Sequence, residues 1–371
     1  MSPAARFALL YGAQFAGFGA ILPFLPAILA EGGLDAGAIG AVLAAGSLTR
    51  VLAGPLVGRA ADRLADPRPL LAACCVIAAA AAAGFGLAAG LAALLTVQLL
   101  HSAAAAPVIP LSDAQAAAAV RAGGFDYARV RVWGSITFIA GALLAGLGAE
   151  WAGPRAAAWM LAAGLLVTAW AAWNLPAPAP RPARATGGLW APLAVPAFRR
   201  ILLASALVQG SHAAYYAFAT LHWQAAGLSA GFIGLLWALG VVAEVLLFLR
   251  GGRLADRLGT RGLVLLAAGG GALRWAVTAA STEPLLLLLV QPLHAATFGA
   301  MHLAAMRAIV ALPPELSGRA QTLLAAGVGA ATGLLMWASG PVYAAAGGAV
   351  FLAMAALCGV ALGLALRGPR G

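Results

Sequence analysis

Gly58-Arg-Ala-Ala-Asp62-Arg63-Leu64 returns as Gly252-Arg-Leu-Ala-Asp256-Arg257-Leu258, with six of the seven residues identical and 194 positions between the copies. Each copy follows the second long apolar run of its half of the chain, so the sequence is a duplicated unit. Working outward from the two copies, apolar runs interrupted by arginine, glycine and proline predict helices near 6–29, 36–58, 69–89, 92–118, 130–151 and 154–175. Six more are predicted near 199–223, 229–250, 261–281, 284–310, 317–341 and 345–366. About 20 apolar residues cross the hydrocarbon core of a bilayer, so these are twelve membrane spans with short loops. Pro176, Pro178, Pro180 and Pro182 make the stretch between the sets an extended tether. The predicted organisation is a six-helix half over 1–175, a cytoplasmic linker over 176–198 and a second six-helix half over 199–371.

Composition agrees. Of 371 residues, 63% are hydrophobic and 9% charged, and the mean hydropathy is +0.95, which excludes a water-soluble enzyme. The first apolar run, after Arg6, is too long for the core of a signal peptide and reads as an uncleaved span. The 22 basic residues, all arginine, outnumber 11 acids. They recur between spans and are not gathered on one polar face, so they imply membrane topology and no nucleic-acid partner. Outside the spans, nineteen arginines fall on one side and only Arg155 on the other, where Glu31, Asp35, Glu150 and Glu283 sit. The arginine-rich side is cytoplasmic by the positive-inside rule, which places both termini there. Cys74, Cys75 and Cys358 lie in apolar runs as packing residues, and no His or Cys spacing suits a metal. No phosphate-binding G-x-x-x-x-G-K-[ST] run occurs, which excludes primary pumping by this chain, and no cofactor is expected. A membrane-embedded enzyme would gather its acids at one interface, whereas these are spread over both halves, and a receptor would need an extramembrane partner-binding region. Parallel repeats predict a carrier, with lipid as its solvent and a small-molecule site at the interface of the halves.

The G-R-x-A-D-R-L segments resemble the loop signature of the major facilitator superfamily. That resemblance implies an all-α membrane protein of two pseudo-symmetric six-helix bundles, and makes Gly58, Asp62, Arg63, Gly252, Asp256 and Arg257 residues of a cytoplasmic gate. The first copy departs from the pattern by continuing Ala65-Asp66-Pro67-Arg68, where the second has Gly259-Thr-Arg261. The expected role of each glycine is to let helices approach closely. Asp126-Tyr-Ala-Arg-Val-Arg131-Val-Trp133-Gly134-Ser135, Gln209-Gly-Ser-His212-Ala-Ala-Tyr215-Tyr216, Val241-Val-Ala-Glu244-Val, Trp223-Gln-Ala-Ala-Gly227 and His302-Leu-Ala-Ala-Met-Arg307 look like the 3-phenylpropionate transporter branch. That likeness implies a multi-pass protein of a bacterial inner membrane that imports a small organic solute, such as an aromatic carboxylate, together with protons. Efflux carriers and symporters of nucleosides or sugars share the architecture and are the alternative readings.

Ionisable groups inside spans carry the functional signal, because each costs about 2.5–3.5 kcal/mol at a helix centre on insertion scales. Arg50 lies in the second span, Asp113 in the fourth, Glu244 in the eighth and Arg274 in the ninth. The repeat offset maps Arg50 onto Glu244 and Asp113 onto Arg307. Glu244 is the expected proton site, with Arg274 and His294 or His302 as partners, an order similar to the coupling set of sugar and proton symporters. His294 and His302, eight residues apart, share a helix face with Phe298 between them. His212, Tyr215 and Tyr216 form a polar and aromatic stripe. With Asp113 and Phe298 they are the expected cavity lining, since the resemblance implies a cavity lined by spans 1, 4, 7 and 10, and Arg50 of the second span joins them because an ion at that depth must face a wet cavity or another ion.

Overall fold

The structure, a computed structural model, describes residues 1–121, 123, 125–177 and 188–367. Pro178, Pro180 and Pro182 of the predicted tether, and Arg181, Arg184 and Arg370 of the charge count, lie outside the described residues. All described regular structure is helical. The first seven helices are α1 (Pro3–Glu31), α2 (Ala36–Ala61), α3 (Arg68–Leu87), α4 (Leu91–Ala105), α5 (Val108–Arg121), α6 (Tyr127–Ala152) and α7 (Ala156–Trp173). Then come α8 (Pro196–Gly210), α9 (Ala213–Ala225), α10 (Ala230–Arg250), α11 (Gly252–Ala280), α12 (Pro284–Val290), α13 (Met301–Val310), α14 (Pro314–Ala346) and α15 (Val350–Arg367). Ten stretches of the described residues are long and apolar enough to cross a membrane. One of them, Pro314–Arg367, holds both α14 and α15, which separate at Gly347 (φ 54°). α8 and α9 each fall short alone because the span breaks between Gly210 and Ala213. The described residues thus make twelve crossings of an all-α multi-pass membrane protein.

Helix starts follow from capping chemistry. Ser2, Asp35 and Asp126 each accept from a backbone N–H of the first turn, Asp35 Oδ1 from Ala38 at 2.8 Å and Asp126 Oδ1 from Ala128 at 2.8 Å. Breaks have local causes too. The fourth predicted span divides into α4 and α5 around Ala106–Pro107, because Pro107 and Pro110 have no N–H to give to the preceding turn. The tenth divides at Pro292 into α12, a short 3-10 turn, a π-helical turn over Ala295–Ala300, and α13.

The chain forms two compact units, one of Met1–Ala183 with Gly227–Ala238, the other of Arg184–Ala226 with Leu239–Gly371. In the first, α1 is the central helix, with Phe7, Leu10, Tyr11, Phe24, Ile28 and Leu29 at most 1% exposed. It is gripped by backbone contact. A Cβ on Gly19 would overlap Phe138 of α6, one on Gly141 would overlap the Ala16 carbonyl, and one on Gly164 of α7 would stand 2.8 Å from the Ala13 carbonyl. Lipid supplies no hydrophobic drive between helices, so close backbone packing holds them. In the second unit, α11 packs against α15 and α13 around Leu263, Val264, Ala267, Ala268, Ala304 and Ile309, all buried.

Arginines fasten helix ends. Arg155, the single arginine opposite the rich side, donates to the carbonyls of Gly86 (3.2 Å) and Ala88 (3.4 Å) at the end of α3. Its Nε lies 3.1 Å from Glu31 Oε1 at the end of α1, too poorly aligned for a hydrogen bond. Arg68 donates to Leu175 O (2.8 Å) just past α7, and Arg261 to Ala365 O (2.9 Å) and Leu366 O (2.8 Å) at the end of α15. Each half thus ties its third helix to the carbonyl end of its sixth, where a cation also meets the negative helix pole. The departure in the first motif copy is part of this clasp: Asp66 and Arg68 are 2.8 Å apart, and the hydrogen bond from Arg68 holds the Asp66 carboxyl below its ordinary value.

The structure corrects two expectations about the motif. Gly58 and Gly252 have no heavy atom within 4 Å of a built Cβ, so neither marks a close helix approach. The second copy is not a loop but the first two turns of α11, because nothing equivalent to Pro67 stops the helix. α11 bends instead at Gly259, whose φ of 61° suits glycine alone. Arg63 and Arg257 are exposed, and Asp256 accepts from Arg307 at 2.7 Å within its own unit. The offset that pairs Asp62 with Asp256 sets the acid Asp113 opposite Arg307, so the first unit cannot repeat this ion pair.

Two stability measurements check this packing. Gly141→Leu should lower the unfolding midpoint in detergent by the equivalent of at least about 1–3 kcal/mol, whereas Gly363→Ala, with no atom within 4 Å, should leave it unchanged. Arg68→Gln should lower the midpoint at neutral pH. Because the folded pKa of Asp66 is depressed, the stability it contributes is present above the ordinary carboxylate range and fades in acid. The gap between variant and parent should therefore narrow below about pH 4.

Candidate functional site

The densest polar cluster at membrane depth is in the second unit, on α9, α10, α11 and the broken tenth span. Its centre is Arg274 of α11, 1% exposed. A guanidinium buried without partners would be prohibitive. Arg274 Nη2 donates to Gln291 Oε1 at 2.7 Å, while Nη1 donates to His294 Nδ1 at 3.2 Å and, more weakly, to Thr297 Oγ1 at 3.4 Å. The rings of Tyr215 and Trp275 lie 4.7 and 4.5 Å from its Cζ, adding cation–π attraction.

Glu244 of α10 is not bonded to Arg274 directly. His294 stands between them, with Nε2 3.3 Å from Glu244 Oε2. The network assigns the tautomer. Since His294 Nδ1 accepts from arginine, Nε2 carries the proton and donates it to the carboxylate. Arg274, a neutral imidazole and Glu244 thus form one relay in which cation and anion are joined through a group that can itself take a proton. Gly240 and Gly299 make room for it: a Cβ on Gly240 would lie 3.2 Å from His294 Cβ, and one on Gly299 would lie 3.5 Å from Glu244 Cγ and 2.8 Å from Leu247. The π turn after His294 shifts the helical register at the relay.

His212, fully buried at the break before α9, holds the cluster from the other side. Its Nδ1 donates to Gln209 O at 3.1 Å, leaving Nε2 to accept from Thr297 Oγ1 at 3.0 Å. Its ring meets those of Trp275, His294, Tyr216 and Phe298 at 5.1–6.4 Å. Phe298 stacks on His294 at 5.4 Å with 12° between planes, as residues one turn apart do. Tyr215 OH donates to Gln291 Oε1 at 3.3 Å. Trp275 Nε1 donates to Ser211 Oγ at 2.8 Å. Arg274 Nε and Gln291 Nε2 have no hydrogen-bond partner among the described residues.

Of the predicted coupling set, Glu244, Arg274 and His294 are linked through His294, while His302 lies farther off, within electrostatic reach of Glu244. His302 is exposed, with its ring 6.1 Å from that of Phe248. Eight residues separate the two histidines by about 12 Å along the axis, which keeps His302 out of the bonded chain. Gln291, Thr297, Trp275 and Ser211 escaped the sequence reading because uncharged polar residues in apolar runs look like packing. Their one signal is that Gln291 and Thr297 flank His294 at −3 and +3.

Asp113 and Arg50 belong to the first unit. Asp113 Oδ1 accepts from Tyr11 OH at 2.6 Å and Tyr127 OH at 3.1 Å. Arg131 lies over the rings of Tyr11 (5.3 Å) and Phe15 (4.2 Å). Arg50, in the middle of α2, is exposed and has no ion pair, hydrogen bond or ring contact among the described residues. Nor do the described residues hold any group of three His, Cys, Asp or Glu arranged for a metal.

Comparison with known proteins agrees with this architecture. Residues 5–354 match the model of the MFS_1-like family. The probable 3-phenylpropionic acid transporter of Escherichia coli (strain K12) is 35% identical over 357 residues, covering 94% of this chain and 93% of that protein. The maltose permease of Geobacillus stearothermophilus is 30% identical over 280 residues, or 74% of this chain and 70% of that protein. In fold, the chain resembles the nucleoside transporter NupG, with a TM-score of 0.85 at 18% identity and full coverage of both chains. These relatives are transporters and not enzymes. A duplicated chain of twelve crossings, matched by the family model over nearly its whole length, is a membrane transporter, and it belongs to the MFS_1-like family of the major facilitator superfamily.

Proposed function

We propose that this transporter is a proton-coupled importer of a small aromatic carboxylate, of the kind named for its Escherichia coli relative. It would act in a bacterial inner membrane with both termini cytoplasmic and two six-helix halves, 1–175 and 199–371. The observation that carries the reading is the Arg274–His294–Glu244 relay. With Glu244 ionised, the imidazole bridges opposite charges and the relay is internally neutral. A proton arriving on Glu244 removes the anion, weakens the His294 Nε2–H bond and leaves Arg274 uncompensated among Tyr215, Trp275 and Gln291. The two protonation states therefore favour different arrangements of α10 against the broken tenth span, as coupling requires. Glycines at 240 and 299 leave room for that movement. The identity with the Escherichia coli protein over 94% of this chain supports the substrate class. The motif residues Asp62, Arg63, Asp256 and Arg257 would serve a gate on the cytoplasmic side.

Two experiments test this. Addition of 3-phenylpropionate to lightly buffered cells should alkalinise the medium only when the protein is present, with maltose and a nucleoside as comparison solutes. Uptake without proton flux would refute coupling. In vesicles, Glu244→Gln should lose all concentrative uptake while retaining exchange of internal for external substrate, because exchange needs no proton release. Wild-type accumulation by this variant would remove Glu244 from the mechanism.

A further inference from the structure

Arg50 stands fifteenth in a 26-residue helix, near its middle. An arginine kept at that depth must be offset by something. The other mid-span ions are already engaged: Glu244 with His294, Arg274 with Gln291 and His294, and Asp113 with two tyrosines. Arg50 alone among them has an open guanidinium. It retains exposed surface, and it lies within electrostatic reach of His101 of α4.

Its surroundings are polar on one side and small on the other. Gly46, Arg50 and Gly54 follow at intervals of four and share a face of α2. A Cβ on Gly46 would overlap the Gln98 amide and stand 2.8 Å from Ser102 Oγ, while one on Gly54 would be 4.0 Å from the Ala106 carbonyl. Arg50 therefore faces α4 between Ser102 and Ala106, a run of alanines that ends at the helix break. Ser102 Oγ and Gln98 Oε1, on residues 0% and 1% exposed, have no hydrogen-bond partner among the described residues.

We propose that Arg50 receives the carboxylate of the transported acid, and that Ser102 adds a hydrogen bond beside it. This deepens the substrate reading given above and rests on it. The planar guanidinium takes a carboxylate through two parallel N–H bonds, a geometry lysine cannot copy. Ala103 to Ala106, at the end of α4, set only small side chains beside Arg50. Arg274 cannot serve, because its terminal nitrogens are committed and it is 1% exposed.

The test is competition against labelled 3-phenylpropionate and labelled 3-phenylpropionamide, a neutral analogue of the same shape, in wild-type, Arg50→Gln and Arg50→Lys proteins. The wild type should prefer the acid. In Arg50→Gln the half-saturating acid concentration should rise at least tenfold, with amide recognition unchanged as the internal control for folding. Arg50→Lys should fall between. An Arg50→Gln protein that keeps the wild-type preference overturns the assignment. If that variant fails to reach the membrane, an unchanged acid half-saturation in Arg50→Lys overturns it instead. A wild-type protein that recognises neither compound refutes the substrate reading itself, and the Arg50 assignment falls with it.

Discussion

A bilayer cannot solvate an ion, and this one constraint organises the molecule. Arginines at helix ends meet carbonyls and acids: Arg155 the end of α3, Arg68 and Arg261 the ends of α7 and α15. Ions within the spans use other means. Arg274 is enclosed by amide, hydroxyl, imidazole and two ring faces, and Asp113 by two tyrosine hydroxyls. None of these arrangements is the direct buried ion pair that sequence alone suggests. A neutral mediator between Arg274 and Glu244 keeps each charge partly satisfied. A tight direct pair would resist a change in the acid's protonation.

The same constraint explains where the helices break. An irregular backbone at membrane depth is tolerated only against protein or a polar cavity, and the breaks at Ala106–Pro107, Ser211–His212 and Gln291–Ala300 stand beside polar clusters. His212 caps one break, and His294 and Thr297 straddle another. Glycine has a second task. At 19, 141 and 164 it brings backbones into contact, whereas at 240 and 299 it clears space for a working side chain.

How much could be read from the sequence follows from what kind of signal each feature leaves. Twelve spans were legible because a run of about 20 apolar residues has no other use. Glu244, Arg274, His294, His212 and Tyr215 could be singled out because charged and ring-bearing polar residues are costly in lipid, and Phe298 because it lies between His294 and His302. Thr297, Gln291 and Tyr11 were not, since their importance comes from partners brought near by folding, such as Asp113 for Tyr11 across 102 positions. Face periodicity could not separate His294, bonded to Glu244, from His302, within electrostatic reach of it, because it says nothing about depth along the axis. The motif glycines misled for a related reason: a residue type known for close packing was read as evidence of it, and Gly58 and Gly252 stand in open space.

The central claim is that Glu244 exchanges a proton within a relay that His294 joins to Arg274. Infrared difference spectroscopy of the purified protein across a pH titration addresses it directly, since a protonated carboxyl absorbs apart from a carboxylate. The relay predicts a carboxyl band that appears on acidification, is lost in Glu244→Gln and shifts its midpoint in His294→Gln. A titrating carboxyl band that survives unchanged in Glu244→Gln would contradict it.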